Sequence, residues 1–400
     1  MARDVLLSFN PGSSTIKLGL FAVESGAPRA FGRCLIDLRH APLSLHLEQG
    51  SRVDDVKLKA AVTEDLHEVL EETLGWLARH FAIDELAAVA HRVVHGGDRF
   101  AGPTLVTDET LAAIEALAPL APLHQPQSLR LIRALRRLRP KLPQTASFDT
   151  AFHRTQSDLV RRFALPRALF DEGIKRYGFH GLSYKYIAAQ LQRRHPQAAA
   201  GRVVVAHLGS GASLCGLEAG KSRDTSMSFS TLDGIPMATR AGALDPGVLL
   251  HLQKERGMSV DALEDMLYHR AGLLGVSGLS ADSRELVASD APEAGEALAL
   301  LALRTAREIA ATATTLGGLN AIVFTAGIGA HQPTVRETIC THLAWLGARI
   351  DTAANSAQRE RIDAADSRLA LFVMPTDEEQ VIAEEACEVL CTPPQRIRPS

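Results

Sequence analysis

Several polar residues stand where apolar runs end. Asn10, Ser13, Thr15 and Lys17 surround the turn Pro11-Gly12-Ser13-Ser14, and Arg92 lies inside the run Val89 to Val94 with His91 and His95 beside it. Asp149 follows Phe148, His180 sits among glycines and aromatics in Tyr177-Gly178-Phe179-His180-Gly181, and Arg240 follows Ile235-Pro236-Met237-Ala238-Thr239. An arginine in an apolar strand is costly to bury unless a carboxylate or phosphate meets its planar fork. Two such arginines could form two internal salt bridges, or they could clamp a small carboxylate and a transferring phosphoryl group. Spacing leaves both readings open. Taken alone, His180 reads as a structural histidine. The set contains no Ser-His-acid motif and no zinc-ligand spacing, and it is rich in cations, hydroxyls and glycines. That outfit suits phosphoryl transfer, which needs placement and charge neutralisation more than a protein nucleophile.

The elements that must position these residues follow an α/β pattern. Val5 to Asn10 and Ile16 to Phe21 read as strands flanking a glycine and hydroxyl turn. The same arrangement returns half a chain later: Val203 to Leu208, the small-residue turn Gly209-Ser210-Gly211-Ala212-Ser213, and Leu214 to Leu217. Two similar halves are implied, each opening with a hairpin able to aim backbone N–H groups at an anion, with a shared ligand in the cleft between them. Leu66, Val69, Leu70, Leu74 and Leu77 recur at helical spacing, and Ala87 to Val94 reads as the next strand. Further helices are expected at 183–194, 259–268, 294–316 and 334–347, with buried strands at 321–325 and 369–375. Thr376 and Glu379 suggest a capping box at the start of a final helix.

Composition narrows the partners. Of 400 residues, 46% are hydrophobic, and 43 basic against 46 acidic residues leave a net charge of -3, with no general pull toward nucleic acid or anionic lipid. The longest apolar stretch, Ala297 to Leu303, ends at Arg304, well short of the roughly 20 residues of a membrane span. With no secretory h-region at the start, a cytoplasmic setting is expected. Five scattered cysteines suit a reducing compartment, and Cys387 and Cys391 share one face of a helix with no metal-ligand partners. Gly220-Lys221-Ser222 imitates the end of a phosphate-binding loop, but Cys215 stands where the pattern needs glycine, so a hairpin turn is expected. The basic run Arg130 to Lys141 interleaves with Leu129, Ile132, Leu135 and Leu138, as on an amphipathic helix.

The ordered blocks as a whole resemble the acetokinase family, within the sugar kinase, Hsp70 and actin superfamily. They are Asn10-Pro11-Gly12-Ser13-Ser14, His91 to Gly97, Leu117 to His124, Phe148 to His153, Arg176 to Gly181, His207-Leu208-Gly209, Asp224 to Met227, Thr325 to Gly329 and Pro375 to Glu379. The resemblance implies two duplicated RNase H-like (actin-like ATPase) domains around a central nucleotide cleft. These would be an N-terminal domain over 1–150, to which a helix at 385–400 returns, and a nucleotide-binding domain over 151–384. It also implies reversible phosphorylation of acetate or another short carboxylate by ATP, with ADP as product, by direct in-line transfer. Magnesium, with manganese as a substitute, would be held by Asn10 and Glu378, and Lys17 would lie near the phosphates. Arg92 would bind the substrate carboxylate and Arg240 the phosphoryl oxygens; His180 and His124 would hydrogen-bond that group, with Asp149 as the essential acidic residue. His207, Leu208, Gly209, Ser210 and Gly211, then Asp282, Ser283 and Arg284, then Gly327, Ile328, Gly329, Ala330 and His331 would contact the nucleotide. Val94, Leu123 and Phe179 would line the acyl pocket, together with Thr231. A homodimer is likewise implied; its partners would be the small-molecule substrates, with neither nucleic acid nor membrane expected from the charge and hydropathy.

Several positions depart from the family pattern. Ser210 and Ala330-His331 change the nucleotide segments, and His331 replaces an amide's donor and acceptor with an imidazole. Thr231 stands where the family has a pocket-lining proline, and one methylene in such a pocket is worth only about 1–3 kcal/mol, so propionate or butyrate is the alternative acid. Gln125, Leu182, Ala238 and Ala241 depart nearby. A nucleotide-binding regulatory module without turnover is the alternative from another class, and the joint presence of Arg92, Asp149, His180, Arg240 and Glu378 argues against it.

Overall fold

The computed structural model describes residues 5–12, 15–38, 42–61, 66–81, 83 and 86–391. Ser13 and Ser14 of the first turn therefore lie outside the described residues. The chain divides into two compact units, one of Met1–Phe152 with Asp377–Ser400 and one of His153–Thr376.

The first unit is built on an eight-stranded sheet. Its strands are β1 (Val5–Pro11), β2 (Thr15–Glu24), β3 (Ala27–Asp37), β4 (Ser44–Gln49), β5 (Arg52–Lys57), β6 (Leu86–Val93), β7 (Thr104–Leu105) and β8 (Gln144–Phe148), in the order β5-β4-β3-β2-β1-β6-β8-β7. β1, β2 and β3 pair antiparallel, while β6 lies parallel to β1 and β8 parallel to β6. One cluster of apolar side chains, including Leu7, Phe9, Leu18, Leu70 and Leu135, packs under this sheet, and a second gathers Val93, Phe100, Ile114, Ile132 and Phe148. The helix Gln125–Leu138 serves both clusters, burying Leu131 and Leu135 in the first and Leu129 and Ile132 in the second. Its basic side is an ordinary solvent face, with Arg133 and Arg136 paired to Glu115 and Asp108.

The second unit repeats the scheme. β9 (Arg202–Leu208), β10 (Ala212–Glu218), β11 (Lys221–Thr225), β12 (Ala321–Thr325) and β13 (Ala370–Val373) form a sheet of order β11-β10-β9-β12-β13. The first three are antiparallel neighbours and the last two parallel, as in β3-β2-β1-β6-β8. This is the duplicated RNase H-like order. β9 and β12 are continuous apolar runs because both faces are covered. The helix Pro292–Leu316 packs on β9, β10 and β11, and Gly216 makes room for it: a Cβ there would lie 2.5 Å from Thr312 Cγ2. Glu218 and Lys221 close the hairpin over Ala219-Gly220, both at positive φ, so Gly220-Lys221-Ser222 is a turn and not a phosphate loop.

Two expectations need correction. The helix expected at 334–347 is Pro333–His342, followed by a short 3-10 turn Ala344–Leu346 and Gly347 at φ 94°, where an α-helix cannot continue. The last helix, Glu378–Cys391, packs on β1, β2, β3, β6 and β8 of the first unit, but Thr376 does not cap it. Asp377 accepts from the Gln380 N–H at 3.1 Å, the Thr376 hydroxyl is buried without a partner, and the Glu379 carboxylate is committed to Asn10. Among the described residues no helix is long and apolar enough to cross a membrane.

Candidate active site

In the first unit the site gathers at the ends of β1, β6 and β8, the carboxyl edge where α/β sheets place ligands. Arg92, near the end of β6, donates through Nη2 and Nε to both oxygens of Asp149 at 2.6, 3.1 and 3.3 Å, and through Nη1 to Asn10 Oδ1 at 3.0 Å. Asp149 is 1% exposed, so the pair is desolvated. Burial works against the Arg92 charge, but the neighbouring Asp149, Glu378 and Glu379 outweigh it and hold the guanidinium firmly protonated. This arginine is thus paired with a carboxylate of its own unit. His91 and His95, its sequence neighbours, are pushed down to about 4 by burial and stay neutral.

Asn10 links this pair to the last helix. Its Nδ2 donates to Glu378 Oε2 at 2.9 Å and Glu379 Oε1 at 2.8 Å. The amide orientation is fixed by its partners, since Arg92 can only donate and ionised carboxylates can only accept. Glu379 is raised above the usual carboxylate range, first by burial and then by the adjacent Glu378, while Lys17, opposite Asn10 across the hairpin, pulls it down. Among the described residues no group of three His, Cys, Asp or Glu is placed to hold a metal ion. Magnesium, however, commonly takes one or two carboxylates and fills its shell with water and phosphate oxygens. Two carboxylates sharing one amide, one of them held above its usual range chiefly by burial, fit such a cation. The Asn10 oxygen faces Arg92, so Asn10 could join Glu378 as a ligand only if its amide turned over. Val94 is buried beyond β6, and Leu123 and His124 are half-buried at the start of the helix Gln125–Leu138.

The second unit carries the other cationic centre. Arg240 donates through Nη1 to the Thr231 carbonyl at 2.8 Å and has no carboxylate partner among the described residues. Burial lowers its pKa from 12.5 to about 10, with the Tyr268 phenol opposing. Here no internal salt bridge forms among the described residues, and the guanidinium is half-buried. A Cβ on Gly211 would lie 2.7 Å from Arg240 Nη2 and 3.4 Å from His180 Nε2, so the turn Gly209-Ser210-Gly211, Arg240 and His180 converge. His180 is left-handed at φ 55°, ahead of the helix Gly181–Arg194. Its Nδ1 hydrogen-bonds Ser213 Oγ at 2.8 Å, and its ring stacks on His207 at 4.3 Å between centroids. Ser183 Oγ in turn holds His207 Nδ1 at 2.8 Å, and Tyr184 meets Ser213 at 2.5 Å. Phe179 and Thr231 are both buried, at 1% and 8% exposure.

The three expected nucleotide segments meet at the carboxyl ends of β9 and β12. Thr325 pairs with His207, and a Cβ on Gly209 would lie 3.6 Å from Ala326 Cβ. Gly327 to His331 form the short helix Ala326–His331, and beside Gly327 there is open space, so its missing side chain serves no packing need. Ser283 accepts from Gln332 Nε2 at 2.6 Å, joining segment 282–284 to segment 327–331. Asp282 caps its helix and pairs with Arg284 at 2.5 Å, leaving Arg284 a solvent-facing residue. Leu208, Ile328, Gly329 and Ala330 are buried, whereas Ser210 and His331 are exposed.

Supporting residues escaped the sequence reading. Gly272, at φ 62°, accepts the loop of Arg240 so closely that a Cβ would lie 2.1 Å from the Met237 carbonyl oxygen. Arg336 is fully buried and donates to the Gly329 carbonyl at 2.9 Å and to Asn355 Oδ1 at 2.8 Å, bracing the helix of the third segment. Positive φ at a glycine leaves no pattern in one sequence, and a helical arginine on an apolar face was the available signal for Arg336.

The profile of the acetokinase family matches residues 5–384. An acetate kinase of Methylocella silvestris is 44% identical over 399 residues, covering 98% of each chain, and one of Rhodopseudomonas palustris is 46% identical over 387 residues, covering 95% of this chain and 97% of that one. Among solved structures, a propionate kinase from Francisella tularensis superposes with a TM-score of 0.89 at 33% identity, over 96% of this chain and 98% of the other. The acetate kinase of Porphyromonas gingivalis gives 0.85 at 30% identity, over 97% and 100%. With nearly the whole chain matched by the family profile and by acetate kinases at 44–46% identity, the chain belongs to the acetokinase family.

Proposed function

We propose that the protein catalyses reversible transfer of the γ-phosphoryl group of ATP to acetate, giving acetyl phosphate and ADP. The observation that carries this reading is Arg240, a half-buried guanidinium without a carboxylate partner among the described residues, converging with His180 and a glycine turn. Such a cation is costly until an anion arrives, and it gains most where charge is greatest, in the transferring phosphoryl group. Acetate is ionised at neutral pH, so its oxygen attacks the γ-phosphorus without a general base as the bond to the ADP oxygen breaks. Arg240 would take the equatorial oxygens, with His180 and His124 donating to the same group. Arg92 would bind the carboxylate, with Asp149 fixing the guanidinium plane. Magnesium, when bound near Glu378, would neutralise phosphate charge; Asn10 and Glu379 border the same place and Lys17 adds a cation. Segments 207–211, 282–284 and 327–331 would hold the nucleotide. Val94, Leu123, Phe179 and Thr231 would limit the acyl chain. A homodimer and a cytoplasmic setting belong to the same reading and rest on the family resemblance.

The test is a panel. Purified protein with magnesium and ATP is given acetate, propionate or butyrate, and acyl phosphate is trapped with hydroxylamine. The expected result is acyl hydroxamate with acetate at the highest kcat/KM. Propionate in first place would assign the pocket to the longer acid, and no hydroxamate with any acid would refute the reaction. Thr231→Pro should shift the acetate-to-propionate ratio, by at most about 200-fold for one methylene.

A further inference from the structure

We propose that His153 is a positioning residue for His180, holding the left-handed turn in place by donating its Nε2 proton to the Phe179 carbonyl. The inference rests on the reading above for His180's role in turnover, but its geometry stands on its own. His153 Nε2 lies 2.9 Å from the Phe179 oxygen, one residue before His180. A carbonyl can only accept, so Nε2 must carry the proton and Nδ1 must accept. Nδ1 lies 2.9 Å from Ser222 Oγ, which therefore donates to it, and Gln156 Nε2 supplies Ser222 Oγ with a hydrogen bond at 3.1 Å. The chain Gln156, Ser222, His153, Phe179 thus runs in one direction, each group donating to the next. Buried and pushed down to about 4, the imidazole stays neutral through the physiological range, so the tautomer does not change.

The fit around this contact is close. Gly178, at φ 91°, passes so near the His153 ring that a Cβ would lie 2.5 Å from Cδ2, and the N–H groups of Tyr177 and Gly178 both donate to the Ser228 carbonyl at 3.1 Å. The backbone of 177–179 is thereby held from two sides immediately before His180, whose non-glycine backbone is left-handed. Left-handed φ costs roughly 1–2 kcal/mol at a residue with a Cβ and persists only where its surroundings impose it. At His180 it turns the ring onto Ser213 and His207 and toward Gly211.

The experiment uses full-length protein labelled with 15N-histidine. Long-range proton–nitrogen spectra between pH 6 and 8 should show a neutral Nε2–H tautomer for His153, assigned by its disappearance in His153→Gln. An Nδ1–H tautomer or an imidazolium would overturn the proposal whatever the activity. For turnover, His153→Gln, whose amide can still donate and accept, should stay within about fivefold of the parent. His153→Phe should lose about 10–100-fold in kcat, with KM for ATP within about twofold and the His180 resonances displaced. Equal losses in both variants, or His180 resonances unmoved in His153→Phe, would contradict it. If His153→Phe does not fold, Ser222→Ala tests the same chain: the Phe179 carbonyl keeps the Nε2–H tautomer, while loss of the Nδ1 partner should displace the His180 resonances and lower kcat by about 3–10-fold, and unmoved His180 resonances with parental kcat would refute the relay. If the parent itself shows no acyl phosphate, the proposed function fails while the tautomer and the His180 shifts still decide the positioning.

Discussion

Replacing Arg240 with methionine should remove turnover without weakening the fold. Its pKa falls from 12.5 to about 10 because burial disfavours the charge, which corresponds to roughly 3 kcal/mol held against the folded state at neutral pH. The sign follows from linkage. A cation whose folded pKa lies below its unfolded value binds its proton less tightly when native, so the penalty is full below about pH 10 and relieved above it. Methionine keeps much of the stem and returns that penalty, offset by the lost hydrogen bond to the Thr231 carbonyl, about 1 kcal/mol. The net expectation is a denaturant midpoint equal to or above the parent's. Turnover should fall about 10²–10³-fold, or roughly 3–4 kcal/mol, the usual effect of losing one charge-stabilising donor. The assay pairs hydroxamate formation at saturating acetate and ATP with urea unfolding of the same preparation. A variant that keeps activity within threefold, or loses more than about 2 kcal/mol of stability, would make Arg240 a structural cation and refute the reasoning.

The other arginine should behave oppositely. Arg92→Met leaves Asp149, 1% exposed, without its counter-charge, and should cost about 3–5 kcal/mol in urea unfolding; an unchanged midpoint would mean Asp149 is satisfied without it. Gly272→Ala forces φ 62° and a 2.1 Å contact with the Met237 carbonyl, so a loss above about 2 kcal/mol and a displaced Arg240 loop are expected, and wild-type stability with full activity would contradict the packing. Glu379 titrates above its unfolded value, so the native state binds that proton more tightly and loses stability as pH rises through the interval. Glu379→Gln should therefore flatten the stability–pH curve above about pH 5 and raise the midpoint at pH 7, and an unchanged curve would mean that burial of this carboxylate carries no charge penalty. In the parent, magnesium should raise the midpoint by offsetting the charge penalty at the Glu378–Glu379 pair, and Glu378→Gln should reduce that gain; equal gains would place the cation elsewhere.

The fold was legible where physics is local. Two apolar strand pairs around small-residue turns, Val5 to Phe21 and Val203 to Leu217, mark the duplication in the sequence itself, because a strand buried on both faces must be a continuous apolar run. Failure came where tertiary contacts outweighed local signals. At the last helix, Thr376-Asp377-Glu378-Glu379-Gln380 offers two overlapping caps, and Asp377 wins because Glu379 is drawn to Asn10, 369 residues away. Sequence could say that both arginines needed a partner, yet not which would find one within its own unit. Arg92 finds Asp149 because β6 and β8 lie side by side and parallel, with Val93 opposite Phe148. Arg240 sits in a loop whose shape depends on Gly272 and Thr231, a geometry set by contacts and not by periodicity.

The most direct measurement of the central claim is a phosphorus NMR time course of the protein with magnesium, ATP and acetate, against the same mixture without acetate. The account predicts acetyl phosphate and ADP appearing in equal amounts, only with acetate, and their disappearance in Arg240→Met. ADP accompanied by inorganic phosphate alone, with or without acetate, would contradict it, since the cation at Arg240 would then serve transfer to water and not to a carboxylate.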